Sequence, residues 1–219
     1  MKVAALYDIH GMPWALDAVL AEVDAGAIVV GGDFLGGPYP QETLATIRGL
    51  GATVVRGNAE DGQPRGFDAE VVSADDLAWA GSLPLTAELD RVLYCHATPT
   101  SNLPATTAVT PDQVISEVFA GSTGTVVIGH THHQFDRRIG ELRLINAGSV
   151  GMPYEGDVAA FWTIMEDGEP RFMRTAFDIE RAVSAVRASR WPMAEEFVAE
   201  NLLQAVSREE IIAAIEGNA

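Results

Sequence analysis

Along its first 130 residues the chain alternates short, almost continuous apolar runs with segments of helical periodicity. Val3–Tyr7, Ala27–Val30, Thr53–Val55, Arg91–Tyr94 and Thr125–Ile128 are the apolar runs. Runs of this kind read as strands covered on both faces. Between them, Pro13 opens a helix with Leu16, Val19, Leu20 and Val23 on one stripe and Gly26 near its end. Pro40–Leu50 is a second helix, with Leu44, Ile47 and Leu50 apolar and Gly51 as its stop. Ser73–Ala80 begins on a Ser-Ala-Asp-Asp cap. Thr110–Ala120 opens Thr-Pro-Asp-Gln, a capping box with proline at the first helical position.

The pattern then changes. Arg137–Ile139 and Leu142–Ile145 flank Gly140-Glu141. Ala159–Met165 and Pro170–Ala176 flank the turn cluster Glu166 to Glu169. Both read as antiparallel hairpins. Helical periodicity returns in Ile179–Ala188, Met193–Val206 and Arg208–Ile215, the last capped by Ser207. The expectation is one α/β domain over residues 1–219, with a core of about 1–177 and a C-terminal helical segment of about 178–219.

Composition supports this picture and narrows the function. Hydrophobic residues make up 47% of the 219, which excludes a disordered acidic polymer. Fourteen Lys+Arg against 31 Asp+Glu give a net charge of −17. That charge opposes gripping long nucleic acid or an anionic membrane, because both require clustered cations. No apolar run approaches the ~20 residues of a membrane helix, and no signal-peptide core follows Met1. Cys95 is the single cysteine, so no internal disulfide forms. The expected compartment is the cytoplasm. The tryptophans 14, 79, 162 and 191 read as packing residues.

The chemistry lies at the strand ends. Asp8-Ile9-His10 follows the first run, Gly32-Asp33 the second, Arg56-Gly57-Asn58 the third, Cys95-His96 the fourth and Gly129-His130-Thr131-His132 the fifth. Ligands in open α/β sheets bind beyond the carboxyl ends of strands, so the five ends converge on one place. All five histidines, 10, 96, 130, 132 and 133, fall there. Two carboxylates, an amide oxygen and imidazoles form a mixed O/N donor set, which suits Mn²⁺, Fe²⁺, Ni²⁺ or Zn²⁺ better than Ca²⁺ or Mg²⁺. The set is too large for one tetrahedral ion and suits two ions about 3.5–4 Å apart. Taken singly, each aspartate also reads as a cap or turn residue. His133 reads as a supporting or surface residue, Glu60 and Asp61 as solvated charges, and Cys95 as a buried strand end.

These motifs resemble the signature of the calcineurin-like metallophosphoesterases, in the family's order over roughly residues 1–150. Length and compactness resemble the small bacterial and archaeal YfcE-type phosphodiesterase branch. The resemblance implies a four-layer α/β/β/α sandwich. It also implies that Asp8, His10 and His132 hold one metal, that Asn58, His96 and His130 hold the other, and that Asp33 bridges them. The cofactors it implies are two divalent transition-metal ions, with Mn²⁺ favoured and Fe, Ni or Zn as alternatives. The stretch Asn146–Gly151 resembles that branch as well.

One position departs from the pattern. Many members carry histidine after Gly-Asn as proton donor to the leaving group. Here Ala59 follows Asn58 and cannot transfer a proton. The expected activity is therefore hydrolysis of a small phosphoester, a phosphodiester in preference, by hydroxide formed from water bridging the metals. Asn58 and His96 are the expected catalytic residues. Phe34, Arg56 and Ala59 are the expected substrate-side residues, with Arg56 equally suited to a structural salt bridge. The alternatives are a phosphomonoesterase or nucleotide phosphatase, and a non-catalytic scaffold like the small retromer subunit. The complete ligand set counts against the scaffold. No G-x-S-x-G elbow supports a serine hydrolase.

Overall fold

Lys2–Leu6 forms β1 in the computed structural model, which describes residues 1–61 and 66–217. Successive β1 side chains point to opposite faces. Val3, Ala5 and Tyr7 turn one way, against Tyr94, Val127 and Ile145, while Ala4 and Leu6 turn the other way, toward helices. Both sets are buried, which is why the run is apolar without alternation.

β1 runs parallel to β2 (Ala27–Val30), and β2 parallel to the short β3 (Thr53–Val54). The hairpin β9 (Ala160–Glu166) and β10 (Glu169–Thr175) joins on the other side of β1, antiparallel, with Lys2 opposite Glu166. The order is therefore β10-β9-β1-β2-β3. A second sheet takes the order β4-β5-β6-β8-β7, from Thr86–Leu89, Val92–Cys95, Gly124–Ile128, Leu142–Asn146 and Phe135–Ile139. Its centre, β5-β6-β8, is parallel, and β4 and β7 are antiparallel edges.

The sheets pack face to face, and the buried Tyr7 hydroxyl donates to the Val127 carbonyl at 2.9 Å between them. Helices α1 (Pro13–Glu22) and α2 (Pro40–Gly49) lie on the outer face of the first sheet. Helix α5 (Asp112–Val118) covers the second. The result is the four-layer α/β/β/α sandwich. Helix α6 (Ile179–Ala188), the short α7 (Ala194–Phe197) and the π-helix Val198–Leu203 contribute Ala182, Val186, Phe197, Val198 and Leu202 to the same core as Ala4 and Leu6. The C-terminal segment is thus packed into the outer layer of the first sheet.

Some elements differ from the sequence expectation. Helix α3 (Gly66–Val71) and strand β4 carry too few apolar residues to register as patterns. Met193–Val206 is not one helix but α7 followed by the π-turn. Thr110 does not cap α5, whose N-cap is Pro111; its hydroxyl accepts the Thr107 N–H at 2.8 Å instead. Ser73 does cap α4 (Ala74–Ser82), accepting Asp76 N–H at 3.1 Å. Ser207 and Glu210 form a full capping box on α8 (Arg208–Glu216).

Candidate metal centre

The loops leaving β1, β2 and β6 must turn within one residue to bring side chains over the sheet ends. Asp8, His10, Asp33, His130 and His132 all adopt left-handed backbone, with φ of 52°, 46°, 50°, 67° and 57°. Such conformations cost roughly 1–2 kcal/mol each for a side chain with a Cβ. Backbone bonds between neighbouring loops hold them: Asp8 N–H to Gly32 carbonyl at 3.1 Å, His10 N–H to Asp33 carbonyl at 2.9 Å, and Gly129 N–H to His96 carbonyl at 2.9 Å. Ser149 donates to the Asp8 carbonyl at 2.7 Å, and Asn146 to the Gly129 carbonyl at 2.6 Å. Two glycines serve close approach. A Cβ at Gly57 would overlap Asp33 Oδ1, and one at Gly129 would overlap Asp8 Oδ2.

Two groups converge, Asp8 with His10 and His132, and Asp33 with His96 and His130; within each, the donor atoms lie within 4.8 Å of one another. His132 Nε2 is 3.2 Å from Asp8 Oδ1 and 3.2 Å from His10 Nε2. His96 Nε2 is 3.1 Å from Asn58 Oδ1 and 3.2 Å from His130 Nδ1. Asp33 Oδ2 faces both groups, 3.5 Å from His96 Nε2 and 3.9 Å from His10 Nε2. Donors bound ~2.1 Å from one ion sit about 3.0–3.4 Å apart along a polyhedron edge; the pairs His132–Asp8, His132–His10, His96–Asn58 and His96–His130 match that spacing, while His10–Asp8 at 3.9 Å and His96–Asp33 at 3.5 Å are wider.

The outer atoms of the same side chains fix which atoms face inward. Asp8 Oδ2 accepts the His130 N–H at 2.9 Å, and Asp33 Oδ1 accepts the Ala59 N–H at 2.8 Å. Each carboxylate therefore aims its second oxygen at the cluster. His96 Nδ1, His132 Nδ1 and His130 Nε2 sit 3.0, 2.7 and 3.2 Å from the carbonyls of Gly31, Met152 and Leu103. A carbonyl accepts only, so these nitrogens carry the protons and the inward nitrogens carry lone pairs. Asp8 Oδ1 is buried with no hydrogen-bond partner among the described residues. Lone pairs facing lone pairs around an orphaned carboxylate oxygen fit divalent cations and little else.

Protonation follows the same field. Burial would raise the Asp8 carboxyl, but His132 and His96 outweigh it and hold it below the usual carboxylate range. Burial, then repulsion from His132, pushes His10 down to about 4, leaving it neutral. Burial lowers His96 as well, but Asp33 and Asp8 raise it overall. Burial, then His96, lowers His130.

Glu60 is the residue that sequence reasoning misplaced. It is not a solvated charge: it is 4% exposed and accepts four backbone N–H groups. These come from Asp33 (2.9 Å), Phe34 (3.0 Å), Leu35 (3.0 Å) and Gly57 (2.8 Å). Burial, then Asp33, pushes it up to about 7, while those bonds oppose the shift. Its spacing, three residues after Gly57 in a turn, is the local signal that could have revealed it.

The remaining expectations separate. Asn58 and His130 are half-buried beside the cluster. Phe34 is fully buried against Trp79, ring centroids 6.1 Å apart, so it lines the core and not a substrate gorge. Arg56 is committed to structure: it pairs with Asp61 at 2.6 Å and donates to the carbonyls of Gly81 and Leu83 at 3.1 and 3.0 Å. Asp61 is therefore paired, and it also accepts from Asn102 at 2.9 Å. Ala59 lies beside Gly36, close to the cluster through its N–H. His133 is fully buried, accepting the Ala108 N–H at 3.2 Å, which excludes a surface role. Cys95 is buried, and burial pushes its thiol up to about 12.

Among the described residues no helix is long and apolar enough to cross a membrane. The crystal structure of a metallophosphoesterase from Sphaerobacter thermophilus is similar at TM-score 0.75 and 23% identity, over 93% of this chain and 98% of that one. A hypothetical protein of Pyrococcus horikoshii OT3 is similar at TM-score 0.75 and 15% identity, over 90% and 97%. These likenesses establish the fold. No curated protein sequence matches the chain. A family model described as the calcineurin-like phosphoesterase superfamily domain matches residues 1–167, well over half of the 219, and the chain belongs to that superfamily.

Proposed function

We propose that this protein hydrolyses small phosphoesters, phosphodiesters in preference to monoesters, with two divalent metal ions, Mn²⁺ favoured. One observation carries the reading: a single oxygen of Asp33 faces both donor groups, 3.5 Å from His96 Nε2 and 3.9 Å from His10 Nε2. Asp8, His10 and His132 would hold one ion, Asn58, His96 and His130 the other, and Asp33 both. Two such ions acidify water and offset charge on a phosphoryl group.

The chain's own residues set the rest. Gly31, Met152 and Leu103 carbonyls keep the imidazoles turned inward. Asn58 and His130 are half-buried, which supports placing them on the side a phosphoryl oxygen would approach. His96 is fully buried, so its part would be to hold and orient an ion. Ala59 supplies no proton, so an alkoxide leaving group would depart unaided. That favours diesters and aryl esters with better leaving groups. The charge of −17 favours a small ester entering a cleft over a long polyanion.

The test is hydrolysis of bis-p-nitrophenyl phosphate against p-nitrophenyl phosphate with Mn²⁺. A higher kcat/KM for the diester supports the reading. A higher value for the monoester would replace it with a phosphomonoesterase.

A further inference from the structure

A cavity of about 260 Å³ is lined in part by His10, one of the donor residues of the cluster. Its walls come from two parts of the chain. His10, Gly36, Met152 and Tyr154 belong to the loops of the metal cluster, and the Tyr154 ring stacks on His132 at 4.9 Å and 18°. Trp191, Phe197, Glu196 and Glu200 come from the C-terminal helices, with the Trp191 ring edge-on to Phe197 at 5.3 Å. This second wall lies beyond residue 167, where the superfamily match ends.

The chemistry of the walls is specific. Three aromatic residues, Tyr154, Trp191 and Phe197, and two methionines, Met152 and Met193, line the cavity together with two carboxylates, Glu196 and Glu200, and no lysine or arginine does. Neither carboxylate has an ion-pair or hydrogen-bond partner among the described residues, whereas neighbouring Glu195 is paired with Arg187. Aromatic faces with nearby carboxylates bind organic cations. The volume falls below the ~300–1,000 Å³ that encloses a drug-sized ligand, so it suits a small head group.

We propose that this cavity receives the organic arm of the substrate and selects an arm bearing an ammonium or quaternary ammonium group. The substrate is then a zwitterionic phosphodiester, its phosphate at the metal cluster and its cation between Trp191, Tyr154, Glu196 and Glu200. The position of the phosphate rests on the phosphoesterase reading; binding of the cation does not.

Choline chloride titrated into the full-length protein tests the cavity through tryptophan fluorescence, with 3,3-dimethylbutanol as the neutral isostere. The expected result is a saturable change with choline, none with the isostere, and loss of the change in Trp191→Phe. Glu196→Gln/Glu200→Gln, changing two exposed side chains, should weaken choline binding by about tenfold. No choline response, an equal response to the isostere, or an unchanged double variant would overturn the proposal. Hydrolysis separates the two readings. p-Nitrophenyl phosphorylcholine should lose about tenfold in kcat/KM in the double variant, mainly through KM, while methyl p-nitrophenyl phosphate changes less than about twofold. If the wild type cleaves neither diester yet binds choline, the phosphoesterase reading fails and the cation site stands. If both diesters are cleaved and the double variant affects them equally, the cation site fails alone.

Discussion

Glu60 accepts the backbone N–H of Asp33 at 2.9 Å, and through the same oxygen the N–H of Gly57 at 2.8 Å. The loop carrying Asp33 and the loop carrying Asn58 are thus tied by one buried carboxylate. Glu60→Gln replaces an acceptor oxygen by an amide N–H₂ facing backbone donors. It should destabilise the fold by about 2–3 kcal/mol, the cost of leaving buried donors unmade, and lower metal affinity together with diester turnover. Thermal unfolding and metal titration of Glu60→Gln check both; an unchanged Tm would contradict this role.

Gly57 and Gly129 make room for Asp33 and Asp8. Gly57→Ala and Gly129→Ala should each reduce hydrolysis by about 10²-fold or more, because displacing a reacting group's support by ~1 Å costs that much. Gly121→Ala, where a Cβ meets nothing within 4 Å but φ is 83°, serves as a strain-only control and should leave turnover near wild type.

Helix α8 reaches both ends of the site. Arg208 donates to Glu155 at 3.1 Å, next to Tyr154, and Glu216 accepts from Thr107 and Thr110, in the loop whose Leu103 carbonyl holds His130. Glu216→Ala should lower Tm by about 2–6 °C, for hydrogen bonds from buried hydroxyls to a charged group. It should also speed amide exchange in residues 103–110. A loop whose exchange does not change would show that α8 is not what fixes it.

Cys95 should resist Ellman's reagent in the folded protein and yield one thiol on unfolding. With its folded pKa at about 12 against about 8.5 for a free thiol, the unfolded chain releases this proton first. Its contribution to stability is therefore constant below pH ~8.5 and is lost as pH rises above it. Rapid labelling of the native protein would contradict the burial.

The cluster was legible because each donor follows closely on a strand run. Asp8, Asp33, Asn58, His96 and His130 lie within four residues of their strands' ends, and the two sheets bring those ends together. What escaped sequence reading depends on tertiary contact. Glu60 looks like any loop acid until Asp33 and Gly57 fold onto it. Phe34 follows Asp33 in sequence, yet its backbone turns the ring into the core beside Trp79. Arg56 precedes the Gly-Asn motif but reaches away, to Asp61 and the end of α4. The π-turn at Val198–Leu203 breaks a periodicity that reads as one helix, and it carries Glu200 into the wall of the cavity beside His10.

Metal content measured on the same samples as diester hydrolysis, for the wild type and Asp33→Asn, bears most directly on the shared aspartate. The wild type loaded with Mn²⁺ should hold two ions per chain, as two donor groups require, and lose turnover on chelation. Asp33→Asn should hold fewer ions and show no metal-dependent turnover. Hydrolysis by the metal-free protein, or wild-type turnover and two bound ions in Asp33→Asn, would contradict the account.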